Sequence, residues 1–433
     1  MQKELSLQYT AIIKEELVPA MGCTEPISLA YCAAYARKVL GKMPSTYKVW
    51  CSSNIIKNTM AVTVPRTGGM KGIPAAVLAG GLSGDLTRGL EVLSSLTETD
   101  VDQIREGLAR NAVTVIPMES SHPLHIIIRA EAGGEYGQAE VIDTHLGLGN
   151  VEKNGRIIRR RQEQGGAAIC SERGILNLKD ILDYADTVDL RDVRELLEQQ
   201  VKCNMAISRE GLANNWGACV GKTLLKSGGK DLWRKIKAAA AAGSDARMNG
   251  CPLPVVINSG SGNQGITVSL PVVVYAEHIC AGEDRLLRAL CVSNLTAIHQ
   301  KTGIGRLSAF CGAVSAATGA MAGIAYLDGA SYDVIAQAVV NALGNVGGIL
   351  CDGAKASCAA KIASAIDGAL LGYELAKQGR GFQNGEGIVK ADVEETIASV
   401  GQVAAVGMRE TDQEILRIMI EHCGARQSSG KPI

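Results

Sequence analysis

LSAFCGAVSAATGAMAGIAYL, residues 307–327, runs 21 positions without a charge, long enough to span a bilayer. How this stretch is read decides the fold. Gly, Ser and Thr punctuate it, Ala fills much of the rest, Arg306 and Asp328 close its ends, and it lacks an aromatic belt. It reads as a buried helix, open to interruption at its glycines, rather than a membrane span.

Around it, the chain after about residue 172 has an almost wholly helical pattern with Gly-rich breaks. Helices are expected near 177–210, 213–242, 283–301, 331–344, 354–378 and 390–406. An apolar run, PLPVVIN (252–258), precedes a helix-like 266–279. Upstream the period changes. YKVWCSSNIIKNTMAVTVP (47–65) reads as strand-like runs around a polar break, and AVTVIP (112–117), HPLHIIIRAEAG (122–133) and YGQAEVIDTH (136–145) read as strands, with a turn at KNGRIIR (153–159). IPAAVLAGGL (73–82) and VDQIREGLAR (101–110) read as short helices. The fold class is therefore α+β: a small α+β N-terminal domain (45–165) and a larger, mostly helical C-terminal domain (172–424). N-terminal helices (1–44) precede them, RRRQEQGG (159–166) is the linker, and 425–433 is a disordered tail. Residues 3–18 form one helix, and Pro26 suits the first turn of the next, which ends at Gly41.

Composition narrows the function. Lys+Arg and Asp+Glu are both 44, so no global field exists to hold nucleic acid or an anionic membrane, and aromatics are 3%, too few for base-stacking platforms. The 13 cysteines are odd in number and widely spread, unlike a secreted disulfide framework. The start, MQKELSLQYTAIIKEEL, reads as a charged amphipathic helix rather than a signal peptide. Free thiols in a reducing cytoplasm are the expectation, most of them packed as small core residues.

CxxC is absent, so spacing alone defines no metal site. Context sets three cysteines apart. Cys23 precedes the helix that Pro26 opens, where the positive helix end favours thiolate over thiol. Cys351, in GGILCDGAK (347–355), lies at a Gly-rich helix entry. Cys311 lies among small residues that leave room for something bulky. SGSGNQG (259–265) follows an apolar strand and precedes a helix, a cradle for a carboxylate or phosphate, yet it is neither a Walker A loop nor a dinucleotide fingerprint. SSNIIKN (52–58) and ESSHPLH (119–125) place amide, hydroxyl, amino and imidazole groups at strand ends, able to hold an amino-acid zwitterion. Thr24, Asn54, Asn58, Ser259, Ser261 and Asn263 are the candidate substrate-binding residues. Arg66 and Lys71 flank a loop and read as solvated.

Taken together, GCTEP (22–26), SSNIIKNTMAVTVPRTGGMKGIPAA (52–76), DARMNG (245–250), SGSGNQG, LSAFCGAVSAATGA (307–320) and CDGAK (351–355) resemble the L-cysteine desulfidase family, itself related to the iron–sulfur L-serine dehydratases. The resemblance covers about residues 10–420. It implies a [4Fe–4S] cluster held by three cysteines with one iron free for substrate, and the matching residues are Cys23, Cys311 and Cys351. It also implies that the helical part carries the cluster, so the N-terminal helix bearing Cys23 must pack on it. Cys358 and Cys423 are candidates to cap the open iron.

The implied reaction is β-elimination of L-cysteine to hydrogen sulfide, pyruvate and ammonia. The candidate bases are Lys57, His122 and Lys355. L-Serine dehydration on the same cluster is the nearest rival. SGSGNQG also resembles the cofactor loop of some pyridoxal-phosphate lyases, which would need a Schiff-base lysine such as Lys222 or those of WRKIK (233–237). A membrane or scaffold protein with buried thiols is the non-enzymatic alternative. The expected partner is a small amino-acid substrate, without nucleic acid or membrane, and a homodimer is the default assembly.

Overall fold

The computed structural model describes residues 1–161, 172–226 and 231–428, leaving out the side chains of 420 and 422–428. The chain opens with α1 (Lys3–Glu16), β1 (Pro19–Met21) and α2 (Thr24–Leu40). The α+β part follows: β2 (Thr46–Cys51), α3 (Ser53–Thr59), α4 (Gly72–Ser83), α5 (Glu98–Ala109), β3 (Val113–Pro117), β4 (His125–Ala132), β5 (Glu135–Ile142), β6 (Leu148–Lys153) and β7 (Arg156–Arg159). The helical part comprises α6 (Leu178–Thr187), α7 (Arg194–Ala213), α8 (Val220–Lys226), α9 (Leu232–Met248), the short β8 (Pro254–Val256), α10 (Gly262–His278), α11 (Glu283–Ile304), α12 (Gly312–Leu327), α13 (Tyr332–Val346), α14 (Cys358–Lys377), α15 (Val393–Gln402) and α16 (Arg409–Ser428).

The main sheet has the order β3-β2-β4-β5-β6-β7, and only the β2–β3 pair is parallel. Alternation sets its buried face: Val49 on β2 pairs with Ile128 on β4, which pairs with Ala139 on β5, and all three are buried. Helix α2 lies across that face. A Cβ on Gly137 would sit 2.4 Å from the Leu40 amide nitrogen, so only glycine lets helix and strand approach this closely. Helix α4 packs on α2 in turn.

A second, two-stranded sheet has the larger consequence for the site. β1 pairs antiparallel with β8, Ala20 opposite Val255. This ladder ties the residues just before Cys23 to the residues just before Ser259. Tyr9 on α1 donates to the Ile175 carbonyl at 3.2 Å, and the Thr10 and Tyr184 hydroxyls are 2.8 Å apart, so α1 also docks against the start of the helical part.

The uncharged stretch divides in two. Residues 307–311 are not helical, and Phe310 forms an antiparallel bridge with Leu350. Helix α12 then runs from Gly312 to Leu327 unbroken by its glycines. It is buried on nearly all sides, and a Cβ on Gly319 would lie only 2.4 Å from the Ser293 carbonyl oxygen of α11. Among the described residues no helix is long and apolar enough to cross a membrane.

Several expected elements differ. The strand-like run 47–65 is a strand only to Cys51, and SSNIIKN then turns into α3. There the Ser52 hydroxyl donates to the Pro123 carbonyl at 2.7 Å, while Ile55 and Ile56 bury on the same side of one helical turn, so tertiary packing overrides their β propensity. The turn at 153–159 is the tip of a hairpin whose first strand, β6, alternation alone had not revealed; Asn154 and Gly155 both have positive φ, as a two-residue hairpin loop requires. The helix expected over 177–210 is broken at 188–193, and that over 213–242 is α8 and α9, separated after Lys226. The expected linker lies mostly outside the described residues, as does the tail beyond Ser428.

Candidate functional site

A cavity of ≈ 100 Å³ lies where the N-termini of α2, α10 and α12 meet the segment 351–358. Four cysteines line it: Cys23, Cys311, Cys351 and Cys358. Cys23 is the N-cap of α2 and Cys311 the N-cap of α12, so each thiol sits at the positive end of a long helix. Cys351 is brought to Cys311 by backbone pairing. The Cys311 amide donates to the Ile349 carbonyl at 3.0 Å, and the Cys351 amide donates to the Ala309 carbonyl at 2.6 Å. Two thiols far apart in sequence thus sit on neighbouring rungs of one bridge. Cys358 opens α14, its amide donating to the Lys355 carbonyl at 3.0 Å.

Electrostatics groups these thiols. Burial pushes the Cys311 thiol up to about 12, and Cys351 and Cys358 beside it push the same way. Cys358 is likewise raised, first by burial, then by Cys351. Cys23 belongs with Val62 and Met248 to a small apolar cluster against which Cys358 packs, and its thiol donates to Glu25 Oε2 at 3.0 Å. Burial first, and then the Glu25 carboxylate, hold it far above the usual thiol range. Among the described residues no set of three His, Cys, Asp or Glu side chains is gathered around a point that one metal ion would fill. The four thiols line one cavity instead.

Polar side chains share the lining. Glu25 is buried and fully engaged, accepting from Cys23, from the Thr24 hydroxyl at 3.1 Å and, on its other oxygen, from Asn58 Nδ2 at 3.0 Å. Thr24 also donates to the Gly260 carbonyl at 2.9 Å, fastening the two loops that the β1–β8 ladder brings together. Arg247 on α9 donates to Asn263 Oδ1 at 3.1 Å, while its Nε is buried with no hydrogen-bond partner. Gln264 Oε1 and Asn58 Oδ1 are buried acceptors in the same condition. Three orphaned polar atoms around one cavity are what a bound polar molecule would satisfy. Gly265 makes the cradle possible: a Cβ there would lie 2.0 Å from the Val256 carbonyl oxygen.

Lys301, in the last turn of α11, completes the lining. It is 6% exposed, and burial lowers its ammonium to about 8, with Cys351 and Cys311 opposing the shift and Arg306 and Lys57 reinforcing it.

The structure brings Cys23, Cys311, Cys351, Thr24, Asn58, Ser261 and Asn263 to this cavity. Others fall elsewhere. Asn54 and Lys57 line an adjoining cleft of ≈ 560 Å³ that shares Arg306, Leu307 and Ser308 with the cavity. Lys57 is buried against Asp412 of α16 and lies 3.4 Å from the Cys351 carbonyl. Ser259 is buried behind the cradle, donating to Asn258 Oδ1 at 2.9 Å. Lys355 pairs with Asp352 at 2.7 Å. His122 is on the surface, its Nδ1 2.6 Å from Asp143 Oδ1. Arg66 borders a separate hollow. Lys222 bonds Asn215 and Lys237 pairs with Asp367, and neither lines the cavity. The side chain of Cys423 is outside the described residues.

Glu25, Arg247, Gln264 and Lys301 were not read from the sequence as site residues. Glu25, Arg247 and Gln264 stand inside quoted motifs, so the motifs carried them unremarked. Lys301 has no such signal, because a lysine in a last helical turn reads as an ordinary partner of the helix dipole.

Comparison with known proteins agrees with this architecture. The serine dehydratase alpha chain family matches residues 87–417. A UPF0597 protein of Desulfitobacterium hafniense is 49% identical over 418 residues, covering 96% of this chain and 97% of its own length. One of Treponema denticola is 49% identical over 421 residues, covering 96% and 98%. One of Bacteroides fragilis is 39% identical over 418 residues, covering 95% and 97%. Matched along nearly its whole length by these relatives, the chain belongs to the UPF0597 family and carries a serine dehydratase alpha chain region.

Proposed function

We propose that the protein is an iron–sulfur lyase that removes the β-substituent of a small L-amino acid, converting L-cysteine to hydrogen sulfide, pyruvate and ammonia. The observation that carries this reading is the lining of one cavity: four thiols together with unpaired polar atoms of Arg247, Gln264 and Asn58. A thiol-rich lining is the donor set of a soft, multinuclear iron group rather than of a single hard cation. Cys311, Cys351 and Cys358 would hold the cluster as the mutually adjacent set, with Cys23 facing them from α2. Cys358 thus joins the ligands that the family resemblance implied, while the Cys23 thiol is held by Glu25. When bound, such a cluster supplies a Lewis-acidic iron that improves a sulfur or oxygen leaving group.

The chain's own residues do the rest. Arg247 offers its free Nε–H to an α-carboxylate, and the N-terminus of α10 adds backbone N–H groups beside it. Asn58 Oδ1 and Gln264 Oε1 are acceptors for an α-ammonium. Glu25 fixes Asn58 and the Cys23 thiol, so the acceptor is held in place before substrate arrives. Burial of the cavity excludes water from these contacts and strengthens each.

L-Serine is the second reading, favoured by the serine dehydratase alpha chain match over residues 87–417. The same cradle would hold either amino acid. Anaerobic purification with iron and sulfide counts, followed by kcat/KM for L-cysteine and L-serine, tests both. Bound iron with sulfide release from L-cysteine is expected. A higher kcat/KM for L-serine transfers the assignment to the hydroxyl substrate, and a protein without iron under anaerobic reconstitution removes the lyase reading altogether.

A further inference from the structure

We infer that Lys301 is the catalytic base, its Nζ taking the α-proton of the amino acid held in the cavity; this rests on the elimination proposed above. The inference starts from what faces the cavity with a lone pair to give. Arg247 and Arg306 line it, but a guanidinium stays protonated. Glu25 lines it, but its carboxylate is occupied by Cys23, Thr24 and Asn58. The three bases considered from sequence are engaged or remote: Lys57 with Asp412, Lys355 with Asp352, His122 at the surface with Asp143. Lys301 alone among these amines lines the cavity, with no hydrogen bond or ion pair to its Nζ from the described residues.

Its helix explains the placement. Residues 287–301 of α11 are buried on nearly every side, so Lys301 has no solvent-facing course, and α11 ends just ahead of the segment carrying Cys311.

The step balances without a further reagent. Nζ takes the proton from Cα. The C–H electron pair becomes the second Cα–Cβ bond while the Cβ–S bond breaks, and its pair leaves with sulfur as hydrosulfide. The Lys301 ammonium returns the proton to hydrosulfide, giving hydrogen sulfide and restoring the amine. The 2-aminoacrylate tautomerises to the imine, which water hydrolyses to pyruvate and ammonia. No oxidation state of an external partner changes.

The test uses the full-length protein and three variants, Lys301→Met, Lys301→Arg and Lys301→Ala. Each is expected to keep wild-type iron, sulfide and visible absorbance, while kcat for L-cysteine falls by roughly 10² to 10⁴ and KM changes little. Small primary amines should restore Lys301→Ala in proportion to their basicity, which a merely structural lysine would not show. Cluster-free wild-type protein gives a readout apart from turnover: reductive methylation with peptide mass analysis should mark Lys301, and L-serine should protect it. Full activity in Lys301→Met, or labelling that L-serine leaves unchanged, overturns the assignment while the elimination stands. An iron-loaded wild type inert toward both amino acids overturns the elimination, and this assignment with it.

Discussion

Cys358 and Cys23 divide the thiols into two roles. Burial first, and then Cys351 nearby, raise the thiols of Cys311 and Cys358, whereas Cys23 answers to burial and Glu25. Alanine at 311, 351 or 358 is therefore expected to abolish iron retention, read as lost thiolate-to-iron absorbance in folded protein. Cys23→Ala is expected to keep that absorbance with altered turnover. A colourless Cys23→Ala beside a coloured Cys358→Ala would reverse the two roles. A second residue carries a pH signature. His145 is buried behind the cradle, its Nε2 without a partner, and burial holds its imidazole down at about 4; Glu25 and Glu16 oppose the shift while Arg306 and Arg247 add to it. The folded state binds the proton less tightly than the unfolded chain, so stability is full above pH 6.5 and falls as pH drops toward 4. The loss is about 3 kcal/mol across that window. Urea unfolding at stepped pH should show it, and His145→Gln should flatten it.

At the level of elements, the site depends on junctions between segments remote in sequence. The β1–β8 ladder sets Cys23 beside SGSGNQG, and the Phe310–Leu350 bridge sets Cys311 beside Cys351. Gly265→Ala would drive a methyl group into the Val256 carbonyl, and a loss of about 1–3 kcal/mol is expected in the urea midpoint. Among the described side chains of helix α16, Asp412 forms an ion pair with the buried Lys57. Asp412→Ala leaves Lys57 buried without its partner, at a cost of about 3 kcal/mol. Faster hydrogen exchange in α16 and around residues 53–59 is the expected signature, and unchanged exchange would show that the pair is dispensable. A five-residue π turn, Val403–Gly407, joins α15 to α16 and borders the cleft beside the cavity. Such turns recur at functional sites.

Across the whole molecule, the division into a sheet-bearing part and a helical part was legible from period alone, because α12 and its neighbours lack strand alternation and β4 and β5 have it. The four-thiol lining was legible only in fragments. Cys23, Cys311 and Cys351 stood out by their surroundings, whereas Cys358 drew notice only as a candidate cap for an open iron. What set Cys351 beside Cys311 was a bridge between 310 and 350 that no local pattern encodes. Lys301 was invisible for the same reason: its meaning comes from what lies opposite, not beside it in the chain. His122 misled because a rare imidazole near a strand end attracts notice, yet its ring pairs with Asp143 at the surface. A bound cluster should also reach across these parts. Anaerobic loading is expected to raise Tm relative to the cluster-free protein, as any ligand of the native state alone must; equal Tm values would mean that the thiols hold nothing at equilibrium.

The ladder between β1 and β8 has a consequence for biosynthesis. One edge of the cradle leaves the ribosome among the first residues, and the segment that must close against it emerges only when most of the polypeptide has been made. A nascent or prematurely terminated chain therefore owns isolated sulfhydryls but no chamber. Loading of this cavity is an event for the finished molecule.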